Sequence, residues 1–306
     1  MKPTAISALI PVRNEGEEII ETIRSMVRGR SEPFPLEVVV VDDASSDGSC
    51  DRLDRAFEGS RDARLIVRRL ENWSGIPCAR NRAAEAASYP IYLICDGAAR
   101  FPSGWDLAIW RHHRPDTLLA ATIFDLHSPF EGHGCTLVLP SMGAAWLRWD
   151  GGGAPHAVPV AACTGTVVDR DAFTRLGGYD ETLPLYGAAE PELSVRAWLS
   201  GYAVISTPDL RIGHRFRPPA VHGGFWQANR PRMISNYLRF AIYYLPEPWL
   251  ALAWDHYLRS DPETVRTFEA SEEYPSALAR RRTLAGILPR DFGWYATAFG
   301  LWNTRE

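Results

Sequence analysis

The sequence predicts an open, mostly parallel α/β sheet flanked by helices, followed by a helical C-terminal extension. Three observations predict it. Short apolar runs alternate with stretches of helical periodicity through the first part of the chain. Polar clusters follow three of those runs, where open α/β sheets place their ligands. Beyond Arg217 the signature changes to aromatic helices interrupted by prolines.

Taken in order, Ala5 to Val12 reads as a buried strand, and Ile19, Ile20 and Ile23 within Glu17 to Met26 recur at helical spacing. Leu36 to Val41 contains four consecutive valines, the mark of a parallel strand buried on both faces. Ser45, Ser46 and Asp47 offer N-cap chemistry for a helix towards Phe57. A third strand is expected at Arg64 to Arg69. A helix follows from Ser74-Gly75 to about Ala87, and a fourth strand spans Ile91 to Cys95. Trp105 to His112 is expected to be helical and Leu118 to Phe124 extended. Ser128 to Pro159, rich in Gly, Pro and His and including Gly151-Gly152-Gly153, reads as a mobile loop over the site. Order returns at Val160 to Val168. A short helix at Arg170 to Leu176 is closed by Gly177-Gly178, an amphipathic helix covers Glu192 to Leu199, and a strand Ala203 to Ser206 follows. These features divide the chain into a domain over 1–217 and an extension over 218–306 that covers the site or forms a contact in a homo-oligomer.

A chain of 306 residues, 46% hydrophobic and 23% charged, is long enough for a large core and excludes global disorder. The net charge of -4 argues against nucleic acid as a partner. Arg280-Arg281-Arg282 reads as a solvated helix face. Five scattered cysteines without a CxxC pair argue against a disulfide framework or zinc knuckle and for a reducing, cytoplasmic setting. No basic leader precedes the first strand, so no signal peptide is expected. Phe240 to Trp254 is too short and interrupted to span a bilayer.

Four positions carry the chemistry. Asp42, with Asp43 beside it, ends a buried strand, where a carboxylate accepts hydrogen bonds from a nucleobase or ribose or else caps the next helix. Asp96 ends another and suits a divalent cation whose charge neutralises a diphosphate, although Ala98 supplies no second ligand two positions on. His214 sits after a strand near Arg215 and Arg217, as metal ligand or structural residue, with the arginines suited to phosphate. Glu190 opens a helix, as general base or as a favourable charge on the helix dipole.

Taken together, Ile10-Pro11-Val12-Arg13-Asn14-Glu15, Val40-Val41-Asp42-Asp43, Gly75-Ile76-Pro77-Cys78-Ala79-Arg80-Asn81, Leu93-Ile94-Cys95-Asp96, Gly177-Gly178-Tyr179-Asp180, Glu192-Leu193-Ser194-Val195-Arg196 and Gly213-His214 resemble the family 2 glycosyltransferases of the GT-A fold. They are also similar to the catalytic domain of polypeptide N-acetylgalactosaminyltransferases. The resemblance runs from Ser7 to Arg217, about two thirds of the chain. It implies a nucleotide-sugar donor, usually a UDP-sugar, with Pro11, Arg13 and Glu15 lining the nucleotide pocket, Asp42 on the base and Arg80 beside the nucleotide. Asp96 matches the first acid of the metal motif and His214 the later metal-binding histidine, implying Mn²⁺ or Mg²⁺. With Ala98 in place of the second ligand, the site holds the cation through Asp96, His214, diphosphate and water, or uses none, Arg215 and Arg217 then supplying the charge. Inverting members carry an ED pair before the ELS-like helix. Counting back from Glu192, Ala189 takes the Glu position and Glu190 that of the catalytic Asp. On the retaining alternative Glu190 is not a base.

The expected activity is therefore inverting transfer of a sugar to a hydroxyl of a soluble small-molecule, sugar or peptide acceptor. A nucleotidyltransferase is disfavoured because no glycine-rich basic loop follows the first strand. A non-catalytic, degenerate transferase is the remaining alternative, favoured by Ala98 and Ala189.

Overall fold

The computed structural model describes residues 4–148, 153–162 and 164–303. Gly151, Gly152 and Cys163 lie outside the described residues. The N-terminal part alternates strand and helix as its periodicity dictates: β1 (Ile6–Val12), α1 (Glu18–Arg28), β2 (Leu36–Asp42), α2 (Ser49–Ala56), β3 (Arg64–Arg69), α3 (Ile76–Ala86) and β4 (Ile91–Ile94). Every residue of β1, β2 and β4 is buried, as expected of strands covered on both faces. They pair in parallel in the order β3-β2-β1-β4, with Val12 opposite Asp42. Then come β5 (Ala99–Arg100), α4 (Trp105–His112) and β6 (Thr117–Asp125). The α2 helix begins later than its cap signal suggests. Its N-cap is Gly48, which has no side chain to cap it, and Asp47 instead accepts a hydrogen bond from the Ser49 backbone at 2.9 Å.

The stretch read as a loop over Ser128 to Pro159 contains four short strands. It holds β7 (Glu131–His133), β8 (Cys135–Val138), β9 (Gly143–Trp146) and β10 (His156–Ala157). β7 pairs with β6, and β8 and β9 form a two-stranded sheet. Two glycines that look like loop punctuation are packing residues. A Cβ on Gly132 would lie 2.4 Å from the Trp146 ring, and one on Gly134, at φ +71°, would meet Val158 at 2.9 Å.

The chain continues with β11 (Thr166–Asp169), α5 (Arg170–Leu176), α6 (Ala189–Leu199) and β12 (Ala203–His214). β11 runs antiparallel between β4 and β6, β12 runs parallel to β6 on its other side, and β10 pairs antiparallel with β12. The sheet order is β10-β12-β6-β11-β4-β1-β2-β3. Two expectations are corrected here. β12 is much longer than Ala203 to Ser206, because a bulge between Thr207 and Arg211 absorbs Pro208 and pairing resumes, so His214 ends the strand rather than following it. The α6 helix is not amphipathic: Glu192, Ser194 and Arg196 are buried along with its apolar residues. It is enclosed on all sides, and its polar residues find partners inside.

The C-terminal helices are α7 (Pro219–Tyr244), α8 (Glu247–Ser260), α9 (Pro262–Ala270), α10 (Glu273–Ile287) and α11 (Phe292–Ala298). Prolines stand at or near the starts of α8 and α9, but α7 runs through Pro231 without a break. Leu238, Phe268, Leu284 and Tyr295 join the same apolar core as Leu9, Val39 and Leu193. Arg280-Arg281-Arg282 is not simply a solvated face. Arg281 donates to the Ile242 carbonyl at 2.6 Å, and Arg280 faces the buried Asp180. Among the described residues no helix is long and apolar enough to cross a membrane.

Candidate active site

The polar clusters after β1, β2 and β4 meet at the carboxyl edge of the sheet because those strands are parallel neighbours. Pro11 is buried within β1. Arg13 donates to the carbonyls of Asp43 and Ala44 at 2.6 and 2.9 Å, and its guanidinium lies 4.4 Å from the centre of the Trp73 ring. Asp42 turns to its own loop and accepts from the Ser45 backbone at 2.8 Å, a turn ahead of α2 rather than a cap on that helix. Asp43 reaches further. Its two oxygens accept from the Ser74 and Gly75 backbones, both at 2.7 Å, and fix the start of α3. Trp73 and the reach of Asp43 were not read from the sequence. A lone tryptophan between a strand and the Ser74-Gly75 helix start is the signal that pointed there.

The β1 loop then approaches the β4 end. A Cβ on Gly97 would lie 2.9 Å from Cγ of Glu15. Arg217 donates to Glu15 at 2.8 Å. Burial raises the Glu15 carboxyl above its ordinary pKa, and the charge of Arg217 only partly offsets this. Arg215 pairs with Glu18. Both arginines expected to meet phosphate are thus already paired with carboxylates.

His214 is carried to Asp96 by β-pairing: it sits opposite Ala99 of β5, and Arg215 donates to the Ala98 carbonyl at 3.0 Å. Nε2 of His214 lies 3.5 Å from Oδ2 of Asp96. Phe216 packs against the imidazole, with ring centres 4.5 Å apart. The Asp96 backbone is tied to Thr164, whose hydroxyl accepts its N–H at 2.9 Å.

Arg80 joins the two halves of the site. It projects from α3 and is 1% exposed. It donates to Oδ1 of Asp96 at 3.2 Å, to Oε1 of Glu190 at 2.6 Å and to the Tyr179 hydroxyl at 3.2 Å. Burial works against its charge, but Tyr179, Glu190 and Asp96 outweigh it and hold Arg80 firmly cationic. Burial likewise acts to raise the Asp96 carboxyl, but the contact with His214 and the charge of Arg80 prevail and keep it below its ordinary value. Burial pushes the Tyr179 hydroxyl up to about 12, so it stays protonated.

Asp96 and His214 present a carboxylate oxygen and an imidazole nitrogen towards each other, and Nδ1 of His214 is buried without a hydrogen-bond partner. No group of three His, Cys, Asp or Glu that could hold a metal occurs among the described residues. Ala98 adds no donor. The residues therefore fit a cation held by two protein ligands and completed by other oxygens.

Acids and cations gathered at the carboxyl edge of a doubly covered sheet mark an open α/β fold that binds its ligand at the strand ends. Residues 7–128 match the family described as Glycosyl transferase family 2. The chain is 26% identical over 266 residues to polypeptide N-acetylgalactosaminyltransferase 8 of Drosophila melanogaster, covering 80% of this chain and 44% of that protein. It is 24% identical over 310 residues to polypeptide N-acetylgalactosaminyltransferase 16 of Homo sapiens, covering 95% of this chain and 52% of that one. The chain thus spans about half the length of the curated relatives it matches. Its fold is similar to the crystal structure of GalNAc-T7 with UDP, GalNAc and Mn²⁺, at a TM-score of 0.75 and 19% identity, covering 98% of this chain and 57% of that one. It also resembles the mannosyltransferase PcManGT from Pyrobaculum calidifontis in complex with GDP-Man and Mn²⁺, at a TM-score of 0.58 and 19% identity, covering 100% of this chain and 89% of the other. The chain is therefore similar to family 2 glycosyltransferases and to polypeptide N-acetylgalactosaminyltransferases, and the resemblance and fold class expected from its motifs hold.

Proposed function

We propose that this chain is a glycosyltransferase that moves a sugar from a nucleotide-diphosphate sugar, foremost a UDP-sugar, to a hydroxyl of a soluble small-molecule, sugar or peptide acceptor, with inversion. One observation carries the reading: a single buried guanidinium, Arg80, touches both Asp96 and Glu190. In this reading a cation and diphosphate site at Asp96 and a proton acceptor at Glu190 lie side by side, joined by Arg80.

In this reading Pro11, Arg13, Glu15 and Asp42 line the nucleotide pocket, with Arg80 and Arg217 beside it. Glu190 takes the proton of the acceptor hydroxyl as its oxygen attacks the anomeric carbon. Arg80 orients Glu190 and Asp96 and adds positive charge beside the leaving diphosphate. Asp96 and His214 would hold Mn²⁺ or Mg²⁺, which when bound neutralises diphosphate charge. Residues 1–217 form the catalytic domain in this scheme, and 218–306 an extension that shapes the acceptor side or a homo-oligomer contact. Among the described residues Cys50, Cys78, Cys95 and Cys135 are free, which supports a reducing, cytoplasmic setting.

Calorimetric titration with UDP, GDP and dTDP, with and without Mn²⁺, tests the donor half. Failure to bind any of the three sinks the donor reading. Glu190→Gln is expected to abolish transfer and leave nucleotide affinity nearly unchanged, and wild-type turnover in that variant would refute the base assignment. Asp96→Asn is expected to weaken nucleotide binding only when metal is present. An unaltered metal response removes Asp96 from the cation site.

A further inference from the structure

Behind Tyr179, the loop from Gly177 to Thr182 faces α7 and α10 across a pocket of about 390 Å³. At its base lies Asp180, whose side chain is only 6% exposed. Oδ1 of Asp180 accepts from the backbone N–H and hydroxyl of Thr182, at 2.9 and 2.6 Å. Oδ2 is buried and makes no hydrogen bond. Opposite it, Nε of Arg280 is also buried without a hydrogen bond, 3.7 Å away. The two charges face each other but stand too far apart to bond directly. Buried polar atoms left in this state are costly, and native proteins seldom leave them without a partner.

A group that completes both must accept from the Arg280 Nε–H and donate to Asp180 Oδ2. An ammonium only donates, and a carboxylate only accepts. A hydroxyl does both. The lining also includes the hydroxyl-bearing residues Thr182, Tyr243, Ser276 and Thr283, of which Thr182 and Tyr243 bond each other at 2.8 Å and Thr283 donates to the Ala279 carbonyl. A single water would satisfy the pair but fill only about 30 Å³, a small fraction of the space. The volume falls within the range of small-molecule sites.

We propose that this pocket is a saccharide-binding site, in which one sugar hydroxyl bridges Asp180 and Arg280 and the surrounding hydroxyls engage its neighbours. The site is separate from the nucleotide cleft and does not depend on the transferase reading. Tyr179 is common to both, lining this pocket and accepting a hydrogen bond from Arg80.

The test is titration of the full chain with the methyl glycosides of galactose, glucose, mannose and N-acetylglucosamine, followed by calorimetry or saturation-transfer NMR. Methylammonium and acetate serve as chemical controls, and UDP is titrated in parallel. At least one glycoside is expected to bind saturably, and Asp180→Asn is expected to weaken it about tenfold or more. Ala279→Phe, which fills the pocket from an exposed rim position, is expected to abolish glycoside binding with UDP affinity unchanged. It decides the matter should Asp180→Asn fail to fold. Absence of saturable binding by all four glycosides up to about 50 mM overturns the proposal. So does wild-type affinity in Ala279→Phe, or tighter binding of either control. Mass analysis after incubation with a donor separates two sources of the sugar: an acceptor gains mass, and an effector does not. Loss of UDP binding in the wild type would sink the donor reading and leave this one standing.

Discussion

Replacing Arg196 with Met removes a buried charge that fixes the helix bearing Glu190. Arg196 is 4% exposed and Glu192 is fully buried. Their contact is bidentate, with Nε to Oε1 at 2.9 Å and Nη2 to Oε2 at 2.6 Å. Tyr244 of α7 also donates to Oε1 of Glu192 at 2.7 Å. The guanidinium further donates to the carbonyls of Leu176 and Gly178, closing the end of α5 against α6. Burial opposes the charge on Arg196, but Glu192 outweighs it and raises the pKa above its ordinary value. An exposed ion pair is worth about 0–1 kcal/mol, whereas removing one partner of a buried pair costs about 3–5 kcal/mol. Neither partner reaches water here, and two carbonyls lose a donor as well, so Arg196→Met is placed in the upper part of that range. The double variant Glu192→Leu/Arg196→Met leaves no orphaned charge and is expected to be more stable than the sum of the single losses by about 2–3 kcal/mol. Urea unfolding of wild type, both single variants and the double variant measures this directly. A loss below about 1 kcal/mol for Arg196→Met, or strict additivity, would refute the argument that the pair acts as one buried unit.

Three further outcomes are expected. Gly75→Ala places a Cβ 2.2 Å from the Leu185 backbone at a φ of +91°, so urea unfolding should show a loss of about 2 kcal/mol or more. Asp43→Ala removes the acceptor of the Ser74 and Gly75 N–H groups and should cost about 1–2 kcal/mol, whereas Asp42→Ala, which frees a single N–H, should cost less. The Asp96 carboxyl is held below its ordinary value in the fold, so its contribution to stability is full above the unfolded pKa of about 3.9 and is lost as pH falls through the folded value. Asp96→Asn should therefore flatten the acid limb of the stability profile, and parallel profiles for the two proteins would contradict the assignment.

Most strands were legible because burial on both faces leaves an apolar run that polar neighbours bound. Val38 to Val41 and Ile91 to Ile94 illustrate this. The helix end at Gly177 was equally plain, since a left-handed cap at φ +84° favours glycine. Where glycine served packing rather than turning, at Gly132, the same residue type misled, and β7 to β10 read as a loop. The extent of β12 was hidden because Pro208 looks like a break until a bulge absorbs it. Glu192 and Arg196 looked like the polar face of an amphipathic helix, since four-residue spacing does not reveal that each satisfies the other inside the core.

By itself the sequence determined the alternation of strand and helix and the placing of Asp42, Asp96 and Glu190 at element ends. Those properties follow from local periodicity and from the chemistry of individual side chains. Only the tertiary structure decided that Arg80 lies between Asp96 and Glu190, that Asp43 rather than Asp42 anchors α3, and that Asp180 and Arg280 face each other across a pocket. Each of these pairings joins residues from separate elements, and their distances are set by strand order and helix packing, which no local pattern encodes.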